Sequence, residues 1–280
     1  MPYDMEGKTV LVTGACGGIG FETALALSRA GATTVVVCRS AAQCEVVREA
    51  VTSEGGENIE TLACDLSSPR QIRALADTFK RGHDRLHVLV NDAATVPASR
   101  TLTEDGLELQ FAVNHLAYFL LTNLLLDVLR ASAPARIVNV SSGLHRRARL
   151  DFSTLQAEKA YKPMGQYGLT KLLNVHFTYE LARRLEGTGV TANTLSPGFT
   201  ATGLGRGFGS FSRFVMRKYG MRPAKGADTV IYLAASPEVD GVSGKYFSKR
   251  KVEKTAAGTY DAAASARLWA LSEDLTSHIR

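Results

Sequence analysis

Tyr167 and Lys171, four residues apart in Tyr167-Gly168-Leu169-Thr170-Lys171, are the strongest chemical signal in the sequence. Positions i and i+4 of a helix share one face. A phenol ionises at about 10, and an ammonium beside it favours the phenolate. The spacing therefore predicts a proton donor and acceptor tuned by its neighbour. A second signal is Thr13-Gly14-Ala15-Cys16-Gly17-Gly18-Ile19-Gly20, which follows a β-branched run and leads into a helical pattern. Glycines there permit a tight turn, and they let a pyrophosphate reach the backbone amides at a helix N-terminus, where the dipole favours anions. A third is serine. The run 136–140 delivers Ser141-Ser142 to the carboxyl edge of a sheet, where the ligands and reactive groups of open α/β folds collect. Ser142 is the expected hydroxyl and Ser141 the alternative. Ser153-Thr154 lie in a polar stretch, away from any strand end.

The elements that must position these groups alternate. Apolar, β-branched runs at 9–13, 33–38, 59–63, 86–90, 136–140, 190–195 and 244–247 are separated by helical patterns at 20–30, 41–54, 69–81, 107–130 and 167–185. Continuous rather than alternating apolar runs indicate strands buried on both faces of a parallel sheet. Strand-helix alternation of this kind gives an α/β, doubly wound Rossmann sheet with helices on both faces. No linker or repeat divides the chain, so residues 1–280 are expected to form one domain. The irregular segments are 143–166 and a substrate-loop region around 199–222, which follow strand ends and suit binding loops.

Composition narrows the function further. The 280 residues are 45% hydrophobic and 21% charged, which suits a globular chain with a substantial core. Net charge is +6, carried by scattered pairs such as Arg146-Arg147 and Arg217-Lys218 without interleaved aromatics, so no nucleic-acid partner is expected. The six histidines show no ligand spacing, so no metal is expected. Cys16, Cys38, Cys44 and Cys64 form no CxxC pair and read as reduced thiols of a cytoplasmic protein. Met1 to Glu6 carry acids and no apolar core, unlike a signal peptide. The apolar run 116–129 contains Thr122, Asn123 and Asp127, and it is too short and too polar for a membrane span.

With Thr13, Gly14, Gly18 and Gly20 in that spacing, Tyr167 and Lys171 beyond them and Pro197-Gly198 further on, the chain resembles the short-chain dehydrogenase/reductase superfamily over nearly its whole length. The stretch from Arg136 to His145, then Asp151-Phe152, Leu155-Gln156 and Glu158-Lys159 is similar to the retinol dehydrogenase-like branch. Leu181-Ala182-Arg183-Arg184-Leu185 and Ser243-Gly244-Lys245-Tyr246-Phe247 add to that likeness. The resemblance implies catalysis by Asn114, Ser142, Tyr167 and Lys171, with Asn114 supporting a water relay to Lys171. It implies cofactor contacts from Gly14, Cys16, Gly17, Gly18, Ile19, Gly20, Asp65, Leu66, Asn91, Ala93, Tyr167, Lys171, Pro197, Gly198, Thr200 and Thr202. Asn91-Asp92-Ala93-Ala94 stands where the superfamily usually has Asn-Asn-Ala-Gly, so Asp92 and Ala94 depart.

Arg39 ends the second strand pattern, where an acid would bind ribose hydroxyls. A guanidinium there suits a 2′-phosphate or stacks on the adenine, which points to NADP(H). The expected reaction is hydride transfer between nicotinamide and a bulky hydrophobic carbonyl or alcohol. A non-catalytic, nucleotide-sensing protein on the same fold is the alternative. Phe199, Phe208, Phe211, Phe214, Val215 and Tyr219 either line an apolar substrate pocket or anchor their loop to the core. The apolar faces of 107–130 and 167–185 either join a second copy, giving a homo-oligomer, or pack within the protomer.

Overall fold

The structure is a computed structural model, and it describes residues 3–198 and 222–277. The apolar runs become the strands of one sheet because β-branched side chains fill both of its faces. These strands are β1 (Thr9–Thr13), β2 (Thr33–Cys38), β3 (Ile59–Ala63), β4 (Val88–Asn91), β5 (Ala135–Val140), β6 (Val190–Ser196), β7 (Tyr246–Ser248) and β8 (Lys251–Val252). Among the described residues the order is β3-β2-β1-β4-β5-β6-β7-β8. β1 to β7 pair in parallel, and β8 returns antiparallel on β7. The chain winds outward from β1 to β3, then restarts at β4 on the other side of β1. The crevice beyond the carboxyl ends of β1 and β4 is thus the topological switch point, where such sheets bind ligands.

One face of the sheet is covered by α1 (Gly18–Arg29), α2 (Ala41–Ser53) and α8 (Pro223–Ala235), whose Leu25, Val47 and Val230 pack on Val10, Val36 and Val138. The other face carries α3 (Pro69–Gly82), α5 (Ala117–Leu124) and α7 (Pro163–Arg184). Ser40 and Ser68 cap α2 and α3, accepting from the amides of Gln43 and Gln71. No helix among the described residues is long and apolar enough to cross a membrane.

The expected single helix over 107–130 is broken. A short α4 (Leu109–Phe111) passes into a π turn, Ala112–Leu116, then α5, then α6 (Leu126–Ala131). One cause is a local cap and the other is tertiary. The Glu108 carboxylate caps the start, accepting from the amides of Gln110 at 2.9 Å and Phe111 at 2.8 Å. The widened turn presents the Asn114 carbonyl to α7, where Asn174 Nδ2 donates to it at 2.9 Å. π turns of this kind are frequent at functional sites. The helix expected to open at Tyr167 starts one turn earlier, at Pro163, whose fixed φ suits a first helical position.

The apolar faces of α5 and α7 are packed by the protein's own last helix, α9 (Ala262–Ser277). Trp269 is the only tryptophan in the sequence. Its ring lies 4.9 Å from that of Phe119 and 5.8 Å from that of Phe177, with the Arg184 guanidinium 4.2 Å above it. Buried His115 ties the same layers together, its Nε2 3.0 Å from Ser272 Oγ and its Nδ1 3.3 Å from Asn174 Oδ1. Trp269→Ala is expected to cost about 3 kcal/mol of stability, measured by urea unfolding. A change within error would show that α9 is not part of the cooperative core.

Candidate active site

The Gly-rich turn leaves β1 and wraps over the end of β4. Gly14 has φ +75, and a Cβ on it would stand 2.7 Å from Ala93 Cα, so only glycine fits between the two strand ends. The Thr13 hydroxyl closes the same junction, accepting from the amides of Asp92 at 3.0 Å and Ala93 at 3.2 Å. Gly20 lets α1 seat against the Gly14 carbonyl, where a Cβ would come within 2.6 Å of that oxygen. The N-cap of α1 is Gly17, which supplies no side-chain cap. Nothing lies within 4 Å of where its Cβ would be.

These elements border a cavity of ≈ 460 Å³ lined by Gly14, Cys16, Gly17, Gly18, Ile19 and Arg39, then by Asp65, Leu66 and Asp92 to Thr95. A helix N-terminus whose cap residue carries no side chain, a glycine cradle that a side chain would fill and a cation at the far rim together fit a phosphorylated dinucleotide. The expected contacts divide accordingly. Gly14, Cys16, Gly17, Gly18, Ile19, Arg39, Asp65, Leu66 and Ala93 face the cavity, whereas Gly20, Asn91, Tyr167, Lys171, Pro197 and Gly198 do not line it. Asn91 instead clamps the sheet from below, donating to Asn139 Oδ1 at 2.8 Å and Thr122 Oγ1 at 3.0 Å. The Asp65 carboxylate accepts from the Ser67 amide and hydroxyl at 2.9 and 2.8 Å. After β6, Gly198 donates to Ser196 Oγ at 3.3 Å. Thr200, Thr202 and the expected aromatic lining, Phe199, Phe208, Phe211, Phe214, Val215 and Tyr219, lie outside the described residues.

Tyr167, Lys171 and Ser142 converge at the carboxyl end of β5. The two candidate serines separate by partner. Ser141 Oγ donates to the Lys171 carbonyl at 2.8 Å, tying β5 to α7. Ser142 caps the following 3₁₀ turn, accepting from the Leu144 amide at 3.2 Å, and shares a hydrogen bond with the Tyr167 phenol. Ser153 is exposed and engaged with Asp151, remote in role from this cluster. Lys171 is 1% exposed. Its ammonium donates to the Val140 carbonyl at 2.8 Å and to the Tyr118 hydroxyl at 3.4 Å, and it lies 5.6 Å from the Tyr167 ring centre.

One expectation is corrected here. The Tyr167 phenol is pushed up, not down. Burial dominates, the Asp92 carboxylate adds to it, and the Ser142 hydrogen bond only partly offsets them. The group is therefore a neutral phenol at physiological pH. Asn114 is fixed within the π turn. Its side chain accepts from the Thr95 amide at 2.7 Å and donates to the Thr95 carbonyl at 3.0 Å and Thr170 Oγ1 at 3.2 Å.

Sequence reasoning missed two members of the cluster. Tyr118, 1% exposed, accepts from Lys171, and burial lifts its own phenol well above the ordinary range. Asp92 accepts from the Gly20 amide and feels the Lys171 charge, yet burial outweighs both and lifts its carboxyl to about 6. Burial also brings the Lys171 ammonium down to about 8, against the pull of Asp92. The departure at Asp92 from the usual Asn was visible in the sequence; its partner was not.

The family model described as short chain dehydrogenase matches residues 8–211. The chain belongs to the short-chain dehydrogenases. Among relatives, it is 42% identical to retinol dehydrogenase 14 of Mus musculus, over 97% of this chain and 86% of the relative. It is 41% identical to retinol dehydrogenase 13 of Homo sapiens, over 97% and 85% of the two. A solved structure of an uncharacterised protein from Mycobacterium Paratuberculosis superposes with a TM-score of 0.81 at 31% identity, covering 98% of this chain and 95% of that one. The Pseudomonas aeruginosa RhlG/NADP active-site complex superposes at 0.71 with 26% identity, covering 88% and 96%. The retinol dehydrogenase-like branch of this oxidoreductase family, expected from the sequence, is thus borne out.

Asp92→Asn removes the negative charge that holds the Lys171 proton. The ammonium then loses it more readily, so its titration midpoint is expected to fall below about 8. An NMR titration of nitrogen-labelled lysine reads this directly, and an unmoved midpoint would contradict the coupling.

Proposed function

We propose that this protein is an NADP(H)-dependent short-chain dehydrogenase/reductase of bulky hydrophobic carbonyls and alcohols, acting in the cytosol. The observation that carries the reading is the meeting of Ser142, Tyr167 and Lys171 at the end of β5, joined to the cavity at the switch point through Asp92, which lines it. When bound, NADPH supplies hydride to the carbonyl carbon. The neutral Tyr167 phenol gives its proton to the carbonyl oxygen, and the Ser142 hydroxyl holds that oxygen in place. The phenolate that Tyr167 becomes is stabilised by the buried Lys171 ammonium, which Val140 and Tyr118 keep in position. Asn114 acts as a positioning residue, locking the π turn to Thr95 and to α7 through Thr170.

Arg39, exposed at the rim of the cavity, is the residue for a 2′-phosphate. The similarity to a protein solved as an NADP complex supports that choice. Similarity to proteins named retinol dehydrogenases supports a hydrophobic alcohol or aldehyde as substrate, with sterols, long-chain aldehydes and polyketides in the same class. Four free cysteines support the cytosolic setting.

Tyr167→Phe is expected to lower kcat by about a thousandfold while NADPH binding, followed by nicotinamide fluorescence, stays the same. Activity within a few-fold of the parent would refute the assignment. Arg39→Asp is expected to turn the preference from NADPH toward NADH, as the ratio of the two KM values. An unchanged ratio would mean that Arg39 does not meet the phosphate.

A further inference from the structure

All four cysteines in the sequence gather at one end of the cavity. Cys16, Cys38 and Cys64 line it, and Cys44 lies behind Cys38 in the same apolar cluster. Cys16 alone among them is exposed. The register of the sheet brings Cys16 and Cys38 together. Thr13 pairs with Val37, so the turn that follows Thr13 passes over Cys38, the last residue of β2. Cys16 Sγ lies 3.9 Å from the Gln43 side-chain oxygen, and the Cys38 thiol donates a hydrogen bond to it.

That hydrogen bond, helped by the Arg39 charge, outweighs partial burial and brings the Cys16 thiol down to about 7. Cys38 shifts strongly upward, because it is the donor in the same bond and is buried. Burial pushes Cys64 up to about 12. An exposed sulfur that ionises readily, backed by a buried thiol in contact with it, has the form of an attacking and a resolving cysteine. The N-terminus of α1 lies two residues beyond Cys16, and its dipole favours the thiolate further.

We infer that Cys16 is a thiol-modification site that reacts with low-molecular-weight disulfides, and that Cys38 resolves the adduct into an internal disulfide across the mouth of the cavity. The Cys16 thiolate attacks one sulfur of the reagent RSSR. A Cys16–S bond forms, the reagent's S–S bond breaks, and RS⁻ leaves and takes a proton from water. Cys38 then gives its proton to solvent and attacks Cys16 Sγ, expelling the second RS⁻. Two protein thiols are oxidised by two electrons, and the reagent is reduced to two molecules of RSH. The bridge binds the Gly-rich turn to the end of β2, next to Arg39. It therefore blocks the adenosine-phosphate end of the cofactor site, a consequence that rests on the proposed function.

The test treats the full-length protein with oxidised glutathione and follows products by intact and peptide mass spectrometry. In the parent, Cys16 is expected to react at least about tenfold faster than Cys44 or Cys64. The end state is a Cys16–Cys38 disulfide with no glutathione retained. Cys38→Ser and Cys38→Ala, the second keeping the site apolar, should stop at a stable glutathione adduct on Cys16. Cys16→Ser should stay unmodified over the same period. Equal rates at all four cysteines, faster reaction at Cys44 or Cys64, or a parent adduct that Cys38 never displaces would overturn the inference. A parallel arm adds saturating NADPH first and should slow the reaction at Cys16. Reduced protein that binds NADPH yet reacts at the same rate would overturn the placement of Cys16 at the cofactor site. Reduced protein that binds no NADPH would count against the proposed function, while the disulfide would still stand or fall on the masses.

Discussion

A buried ammonium is the constraint around which this site is arranged. Lys171 sits 1% exposed in the interior, where an unpaired charge is very costly. Its charge is met from three elements: the Val140 carbonyl at the end of β5, the Tyr118 hydroxyl on α5 and the field of Asp92 after β4. Each of those groups is fixed in turn. β5 is tied to α7 by Ser141, α5 is held between α7 and α9, and Asp92 is pinned by Thr13 and the Gly20 amide. The buried charge beside Tyr167 is thus also a reason for the close meeting of β4, β5, α5 and α7.

Asp92 links this cluster to the cofactor cavity. It lines that cavity, accepts an amide from the first turn of α1 and faces Lys171. A carboxylate at a helix N-terminus is favourable in itself, but it shares the same region with the anion that the Gly-rich turn is shaped to take. A carboxyl raised to about 6 is mostly ionised near neutral pH, where it attracts the Lys171 ammonium across the site. An Asn at this position would carry no charge, so the electrostatic link between the two halves of the site depends on the Asp92 carboxylate.

Much of this was legible in the residues. Runs such as Thr33–Cys38 carry apolar, β-branched side chains toward both faces, which only a buried parallel strand accommodates. The Gly-rich turn, Tyr167 with Lys171, and Ser142 at a strand end were readable because each depends on local spacing or on its place at the end of an element. The break in the helix over 107–130 was hidden, because it is set by a local Glu108 cap and by a tertiary contact from Asn174 rather than by a glycine or proline within it. Tyr118 was hidden for the same reason: it meets Lys171 from 53 residues away along the chain. The elevated Tyr167 phenol follows from burial and a carboxylate, neither of which spacing reveals.

The central claim is that this cluster passes hydride from NADPH to a hydrophobic carbonyl. Its most direct test uses NADPH carrying deuterium at the transferred position, a panel of polyene and alkyl aldehydes, and mass spectrometry of the alcohols formed. The account predicts alcohol bearing a single deuterium on the former carbonyl carbon. Unlabelled alcohol, or no alcohol from any member of the panel by protein that binds NADPH, would contradict it.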